Sequence, residues 1–224
     1  MAIPSSLSLV QLHSGQMKVF QSPHRFKVVC AGRRWGKSRL SISTIIRAAA
    51  KEKKQRVWYV APTYQMARQI LWDDLQEVLP RKWVRKKNDT TMTIVLKNGS
   101  EIALKGADKP DTLRGVALHF VVLDEFQDMK ADTWYKVLRP TLSSTRGGAL
   151  IIGTPKGFSE FHKLWTIGQN VELQRKGQWK SWQFVTADSP FVPTAEIEAA
   201  KNDMDPKSFA QEYLASFENM SGRV

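Results

Sequence analysis

Short apolar runs recur along the chain, and most are followed by a longer stretch of helical composition. Four of these runs are rich in β-branched or large apolar residues and have the length of buried strands: 26–31 (FKVVCA), 57–61 (VWYVA), 118–123 (LHFVVL) and 149–152 (ALII). The stretches after the first three predict helices over 38–50, 64–79 and 131–142. Strands that alternate with helices predict an α/β fold with a mainly parallel sheet and helices on both of its sides.

Two other patterns refine this layout. Asn98-Gly99 is a strong hairpin signal, and it lies between the predicted strands 91–96 and 101–105. Further along, we expect a helix over 158–168, an extended segment over 181–186 and two terminal helices. The last helix is predicted to begin at Asp205-Pro206, an N-cap followed by proline at the first helical position. One face of that helix is predicted to carry Phe209, Tyr213, Leu214 and Phe217.

The composition is that of a packed globular protein. The chain has 224 residues, of which 42% are hydrophobic, enough for one substantial core. No apolar run has the length needed to span a bilayer. The first residues lack a charged leader followed by an apolar block, so we expect no secretion signal. The single cysteine, Cys30, excludes an intrachain disulfide and fits a reducing cytosol.

Positive charge is concentrated in the first half of the chain. The formal net charge is +13, and residues 1–112 carry 21 Lys and Arg against 8 Asp and Glu, whereas the second half carries 13 of each. Such an excess fits a phosphate-rich partner, because cationic patches bind polyanions through counterion release. It also fits a solvated basic surface, and charge alone does not distinguish DNA from RNA or anionic lipid.

A candidate phosphate-binding loop follows the first strand. The stretch AGRRWGKS at 31–38 matches the pattern G-x-x-x-x-G-K-[ST], except that Ala31 stands in the place of the first glycine. Backbone N–H groups at the start of the following helix would converge on phosphates. The chemistry of the pattern assigns Lys37 to the β- and γ-phosphates and Ser38 to Mg²⁺. The candidate nucleotide-binding residues of the loop are Ala31, Gly32, Arg33, Arg34, Trp35, Gly36, Lys37 and Ser38.

Polar residues at the ends of two later strands complete a candidate ATP site. Asp124 and Glu125 come directly after an apolar strand, in FVVLDEFQD at 120–128. Asp124 is predicted to hold Mg²⁺, and Glu125 to polarise a water for in-line attack on the γ-phosphate. Thr154 follows the strand in ALIIGTP at 149–155, where its hydroxyl could sense the γ-phosphate.

Together, five stretches resemble the N-terminal ATPase domain of the large terminase subunit, the DNA-packaging motor of tailed bacteriophages. They are HSGQ, AGRRWGKS with its deviant first position, VAPTYQMAR, LRG before VVLDE, and the GTP strand end. The likeness runs from about residue 12 to residue 217. It implies a P-loop NTPase fold of the ASCE type, a three-layer sandwich, with a small β-hairpin insertion at about 90–106. It also implies ATP and Mg²⁺ as cofactors.

The same resemblance implies roles for residues that the pattern alone would leave as surface positions. Gln16 matches the glutamine that recognises adenine, and Tyr64-Gln65 fall in a second nucleotide-proximal motif. Arg114 matches an arginine finger donated to the ATP of a neighbouring subunit, where it would neutralise charge on the transferring phosphoryl group. Arg33 and Arg34 compete with it as donors within the same subunit, with Arg114 preferred and Arg34 second.

For the whole chain, the resemblance implies hydrolysis of ATP that drives double-stranded DNA into a procapsid in the host cytoplasm. The implied partners are the portal protein, the small terminase subunit and further copies in a ring, and no membrane. We expect one ATPase domain over 1–218 and the start of a linker at 219–224. Because no later carboxylate cluster follows, we expect no nuclease activity from this chain.

Two other functions stay open from the sequence. A helicase-type motor is possible because DEFQD resembles a helicase motif, although helicases complete the site with a second similar core. The other is a basic DNA-binding module with a vestigial nucleotide loop, against which the set Lys37, Ser38, Asp124 and Glu125 argues.

Overall fold

The computed structural model describes residues 9–218. The described residues form eight strands; β3-β4-β5-β2-β6 are neighbours in that order in one part of the chain, and β1 pairs with β8 in another. The strands are β1 Phe26–Ala31, β2 Arg56–Ala61, β3 Val84–Asn88, β4 Thr93–Leu96, β5 Glu101–Gly106, β6 Phe120–Asp124, β7 Gly148–Gly153 and β8 Trp179–Phe184. The predicted α/β fold with a mainly parallel sheet is confirmed.

The helices lie largely where the sequence predicts them. They are α1 Ser14–Gln21, α2 Lys37–Lys51, α3 Tyr64–Ala67, α4 Asp73–Val78, α5 Arg139–Thr141, α6 Glu160–Gly168, α7 Val171–Arg175, α8 Thr194–Asp203 and α9 Pro206–Glu212. A π-helical turn at Arg68–Trp72 joins α3 to α4, which accounts for the single helix predicted over 64–79. A second π-helical turn, at Thr133–Leu138, precedes α5.

The chain forms two compact units, and each is described by itself. Unit 1 comprises the described parts of Met1–Leu12 and Ser38–Leu150, and unit 2 those of His13–Lys37 and Ile151–Val224. The expectation of one ATPase domain over 1–218 stays a prediction, and the predicted linker at 219–224 lies outside the described residues.

In unit 1, β2 is an interior strand. It pairs in parallel with β5 on one side and with β6 on the other, and five of its six residues are buried. The hairpin predicted around Asn98-Gly99 is present as β4 and β5, which run antiparallel. Because β5 also pairs in parallel with β2, this hairpin adjoins the parallel strands of unit 1.

The sequence did not indicate β3, which pairs antiparallel with β4. After Val84, its residues RKKN are polar and exposed, so the strand carries no apolar alternation. Cationic side chains on an edge strand also discourage pairing with another chain. This segment is a strand because it pairs with β4 at the edge of the sheet, and hydropathy does not encode such pairing.

In unit 2, β1 pairs in parallel with β8, from Phe26 opposite Trp179 to Ala31 opposite Phe184. Every residue of β1 is buried, as its apolar run predicts. The buried Lys27 is accommodated because its Nζ donates to two backbone carbonyls at 3.3–3.4 Å.

The C-terminal helix is shorter than predicted. Asp205 caps α9 by accepting from the backbone N–H groups of Lys207 and Ser208, as its sequence indicates, but α9 ends at Glu212. Phe217 therefore lies beyond the helix, where its ring packs against His162 and Trp165 of α6. Leu214, predicted on the buried face, is exposed.

Among residues 9–218, no helix is both long and apolar enough to cross a membrane.

Candidate nucleotide site

The candidate phosphate loop leaves β1 through a tight turn in unit 2. Gly32 donates its backbone N–H to the Phe184 carbonyl at 3.0 Å, and a Cβ at Gly32 would lie 2.5 Å from the Thr186 hydroxyl, so only glycine fits. Gly36 has φ +102°, a conformation that favours glycine. Ala31 needs no such freedom, because it is a buried strand residue paired with Phe184. This explains how the loop tolerates alanine in its first position.

The structure brings Lys37 and Thr154 together. The Lys37 Nζ donates to the Thr154 Oγ1 at 2.8 Å and to the Ala31 carbonyl at 3.3 Å. The ammonium group is thus held over the loop and on the hydroxyl that follows β7, 117 residues further along the chain. Two residues that were predicted for phosphate binding and γ-phosphate sensing from separate motifs are therefore direct partners.

Trp35 lies in the core, with its side chain turned away from the loop surface. Its ring is fully buried and stacks on the ring of Phe184, with 4.6 Å between the ring centroids. The His13 ring contacts it edge-on, at a centroid distance of 5.0 Å. His13 Nε2 also hydrogen-bonds the Trp35 carbonyl at 3.0 Å. Any contribution of Trp35 to nucleotide binding is therefore indirect: its side chain anchors the loop to unit 2.

Gln16 is bound to the phosphate loop. Its Nε2 donates to the Gly36 carbonyl at 2.8 Å, and its Oε1 accepts from the His13 N–H at 3.0 Å. The side chain is fully buried. The residue that was predicted to recognise adenine thus also fixes the backbone next to Lys37.

The two loop arginines differ in their surroundings. Arg33 forms an ion pair with Glu212, its N–H donates to the Glu212 carbonyl at 2.7 Å, and its own carbonyl accepts from the Thr186 hydroxyl at 2.8 Å. Arg34 is exposed and adopts a left-handed backbone conformation (φ 60°). The structure therefore uses Arg33 to attach the loop to the segment at the end of α9, and it presents Arg34 at the surface.

In unit 1, Asp124 lies buried at the end of β6. Its Oδ2 accepts from the Tyr59 hydroxyl at 2.7 Å, and its Oδ1 accepts from the Glu125 N–H at 2.9 Å. Burial, and then the Asp124 carboxylate, hold the pKa of Tyr59 well above its ordinary value, so the phenol remains a donor. Tyr59 on the neighbouring strand β2 therefore orients the carboxylate predicted to bind magnesium.

Glu125 follows in a left-handed conformation, with φ 50° and ψ 46°. This is uncommon for a residue with a side chain, and such strain is concentrated at functional sites. The carboxylate is half-buried, and its Oε2 accepts from Gln127 Nε2 at 2.6 Å.

The residues predicted to hold Mg²⁺ are suited to it by chemistry. Ser38, half-buried in the first turn of α2, supplies a hydroxyl, and Asp124 supplies a carboxylate. Mg²⁺ prefers such oxygen ligands and keeps several waters and phosphate oxygens in its shell. Among the described residues, no group of three His, Cys, Asp or Glu is arranged to bind a metal. A magnesium ion bound with a nucleotide does not need such a group.

Arg114 lies on the surface of unit 1, just after the turn Pro110–Leu113. Its Nε donates to the Asp111 carboxylate at 2.9 Å, and about half of its side chain is exposed. Tyr64 and Gln65 are exposed at the start of α3, where the Tyr64 hydroxyl donates to the Thr90 carbonyl at 2.6 Å.

Sequence reasoning missed His13, Tyr59 and Gln127. His13 and Gln127 stand within or next to stretches that were singled out, HSGQ and DEFQD, so their place in the motif was a usable signal. Tyr59 carried no signal, because a tyrosine in an apolar strand is typical of a core residue.

Comparison with known proteins decides the family. The model of the terminase large subunit, T4likevirus-type, N-terminal region, matches residues 28–224. This chain belongs to that family. The large terminase subunit of Escherichia phage T5 is 30% identical over 205 residues, which are 90% of this chain and 46% of that protein. That of Thermus phage G20c is 33% identical over 176 residues, 70% of this chain and 36% of that protein.

The terminase fold is equally clear from a solved structure. The large terminase ATPase domain of Thermus phage P74-26 matches with a TM-score of 0.79 and 26% identity, over 93% of this chain and 94% of that one. The chain spans less than half the length of the two curated large subunits, so it corresponds to a part of such a protein.

Proposed function

We propose that this terminase chain binds ATP with Mg²⁺, hydrolyses it, and uses the reaction to move double-stranded DNA into a procapsid. The proposal is supported by membership of the terminase family and by the likeness to a domain described as the terminase ATPase domain of phage P74-26. The chain's own residues supply the parts that such a reaction requires.

The observation that carries the proposal is the bond from Lys37 to Thr154. Lysine at this place of the motif binds the β- and γ-phosphates. On ATP binding, Lys37 would exchange part of its contact with Thr154 for phosphate oxygens. Thr154 would then gain or lose a partner with the γ-phosphate, which makes it a suitable sensor of hydrolysis.

Lys37 and Ser38 are consecutive residues of one motif, and we therefore assign both to the same nucleotide. Asp124 is assigned to that nucleotide as the second ligand of its Mg²⁺. These two oxygen donors would hold Mg²⁺, which, when bound, neutralises charge on the phosphates. Tyr59 keeps Asp124 oriented for this task.

Glu125 is the proposed general base. Its carboxylate would accept a hydrogen bond from the attacking water and align it with the γ-phosphate. Arg114 is the proposed finger for a neighbouring subunit, because its exposed side chain is available to a partner. Arg34, which is also exposed, is the alternative within one subunit, whereas Arg33 is committed to Glu212.

The DNA contacts are proposed to be with phosphates, and hence independent of sequence and weakened by salt. The excess of Lys and Arg in residues 1–112 supports this. We further propose assembly into a ring with portal protein and small subunit, in the host cytoplasm.

The test is phosphate release by the purified chain, with and without Mg²⁺. Lys37→Ala and Glu125→Gln should each abolish release, since the first removes the cation that binds the phosphates and the second removes the carboxylate that activates the water. Lys163→Ala is the matched control, because Lys163 is an exposed lysine that forms an ion pair with Glu160 on the same helix. Unchanged hydrolysis in Lys37→Ala would refute the assignment of this site.

The two alternatives have their own outcomes. Separation of the strands of a forked duplex would favour a helicase-type motor, and DNA binding without magnesium-dependent hydrolysis would favour a vestigial loop.

A further inference from the structure

A short turn holds Gln127 against Glu125. The chain leaves β6, passes through the left-handed Glu125 and enters the 3-10 turn Phe126–Asp128. Phe126 is buried and anchors the turn, while the Asp128 N–H donates to the Glu125 carbonyl at 3.0 Å. This backbone geometry brings the side chain of Gln127 next to the side chain of Glu125.

The amide nitrogen of Gln127 faces two carboxylates. It donates to the Glu125 Oε2 at 2.6 Å and lies 3.3 Å from the Asp128 Oδ2. An amide nitrogen has two protons, one for each acceptor. The opposite orientation of the amide would direct its oxygen at both carboxylates, and the repulsion excludes it. The shorter bond identifies Glu125 as the main partner.

This placement has a cost elsewhere in the side chain. The Gln127 Oε1 is buried and has no hydrogen-bond partner within the described part of the chain. An unpaired buried acceptor is unfavourable, and a protein that keeps one generally does so for a reason. A purely structural role in this turn would be served equally well by an apolar side chain of the same size.

We propose that Gln127 is a positioning residue for ATP hydrolysis, which anchors the Glu125 carboxylate through Oε2 and so aims Oε1 at the attacking water. The inference rests on the proposed function. Without the bond, Glu125 would lose the contact that fixes Oε2, and the water would lose an acceptor of fixed direction. The effect should therefore fall on the chemical step and not on nucleotide binding.

The experiment is steady-state hydrolysis by Gln127→Met, which keeps the length of the side chain and removes the donor. We expect kcat to fall about 10-fold or more, with the KM for ATP within about 2-fold of wild type. Gln127→Glu should lower kcat further, because a third carboxylate would repel Glu125. Gln76→Met is the matched control: it removes an amide that donates to a backbone carbonyl in the same unit, and should leave both constants unchanged.

A double variant separates positioning from general damage. In a Glu125→Asp background, which keeps an acceptor for the water but shortens the side chain away from the Gln127 amide, Gln127→Met should cause little further loss of the residual activity, because the two residues act as one unit. An unchanged kcat in Gln127→Met, or a rise in KM that matches the fall in kcat, would overturn the inference. Failure of wild type to hydrolyse ATP would instead refute the proposed function, so the two failures are distinguishable.

Discussion

Replacement of Gln16 by alanine separates two roles proposed for one side chain. The resemblance to terminases implies that Gln16 recognises adenine, whereas its observed bonds hold the phosphate loop at Gly36 and the start of α1 at His13. Loss of loop support should weaken all nucleotides equally. Loss of base recognition should weaken ATP alone.

The size of each effect follows from the contacts. The bond to the Gly36 carbonyl is a neutral hydrogen bond, and its loss should cost about 0.5–1.5 kcal/mol for any nucleotide. An amide has two protons and two lone pairs, and the observed bonds use one of each. The remaining proton and the remaining lone pair match the N7 acceptor and the N6 donor of adenine. Such a bidentate contact favours adenine over guanine by about 1–3 kcal/mol, or roughly 5- to 150-fold in affinity.

The assay is calorimetric titration of wild type and Gln16→Ala with non-hydrolysable analogues of ATP and GTP. We expect wild type to prefer the ATP analogue by a factor in this range, and Gln16→Ala to lose the preference while binding both more weakly. Because Gln16 is fully buried, recognition of adenine requires local opening at α1, so binding should also raise its hydrogen exchange.

Two results would refute the reasoning. A wild-type chain that binds the two analogues equally has no adenine recognition to lose. A variant that keeps the wild-type preference while weakening both nucleotides would show that Gln16 supports the loop only.

Two further predictions concern Tyr59 and Arg114. Tyr59→Phe removes the buried donor that binds the Asp124 carboxylate, so the free energy of unfolding, measured by urea denaturation, should fall by about 1.5–3 kcal/mol. An unchanged value would mean that this hydrogen bond does not contribute to stability. If Arg114 acts on the ATP of a neighbouring subunit, wild-type activity per subunit should rise with protein concentration, as measured by phosphate release over a dilution series. Arg114→Ala should leave ATP affinity unchanged but abolish this rise, and a rise that persists in the variant would exclude a role between subunits.

Local pattern was sufficient for most of the fold. The apolar runs that became β1, β2, β6 and β7 are recognisable because a buried strand needs continuous apolar residues, whatever its neighbours are. The loop residues Gly36, Lys37 and Ser38 and the pair Asp124-Glu125 were recognisable for a related reason, since the chemistry of phosphates and magnesium fixes both residue types and short spacings. The family resemblance rests in part on these same stretches.

Only the tertiary structure decided which of these residues meet and which face inward. Tyr59 contacts Asp124 across 65 residues, and Arg33 pairs with Glu212 across 179 residues. Trp35 lies in a loop of charged neighbours and yet stacks in the core on Phe184. Periodicity describes a residue's nearest neighbours along the chain, whereas these contacts depend on which strands are adjacent and in what register. That information is distributed over the whole packed core, and no short stretch carries it.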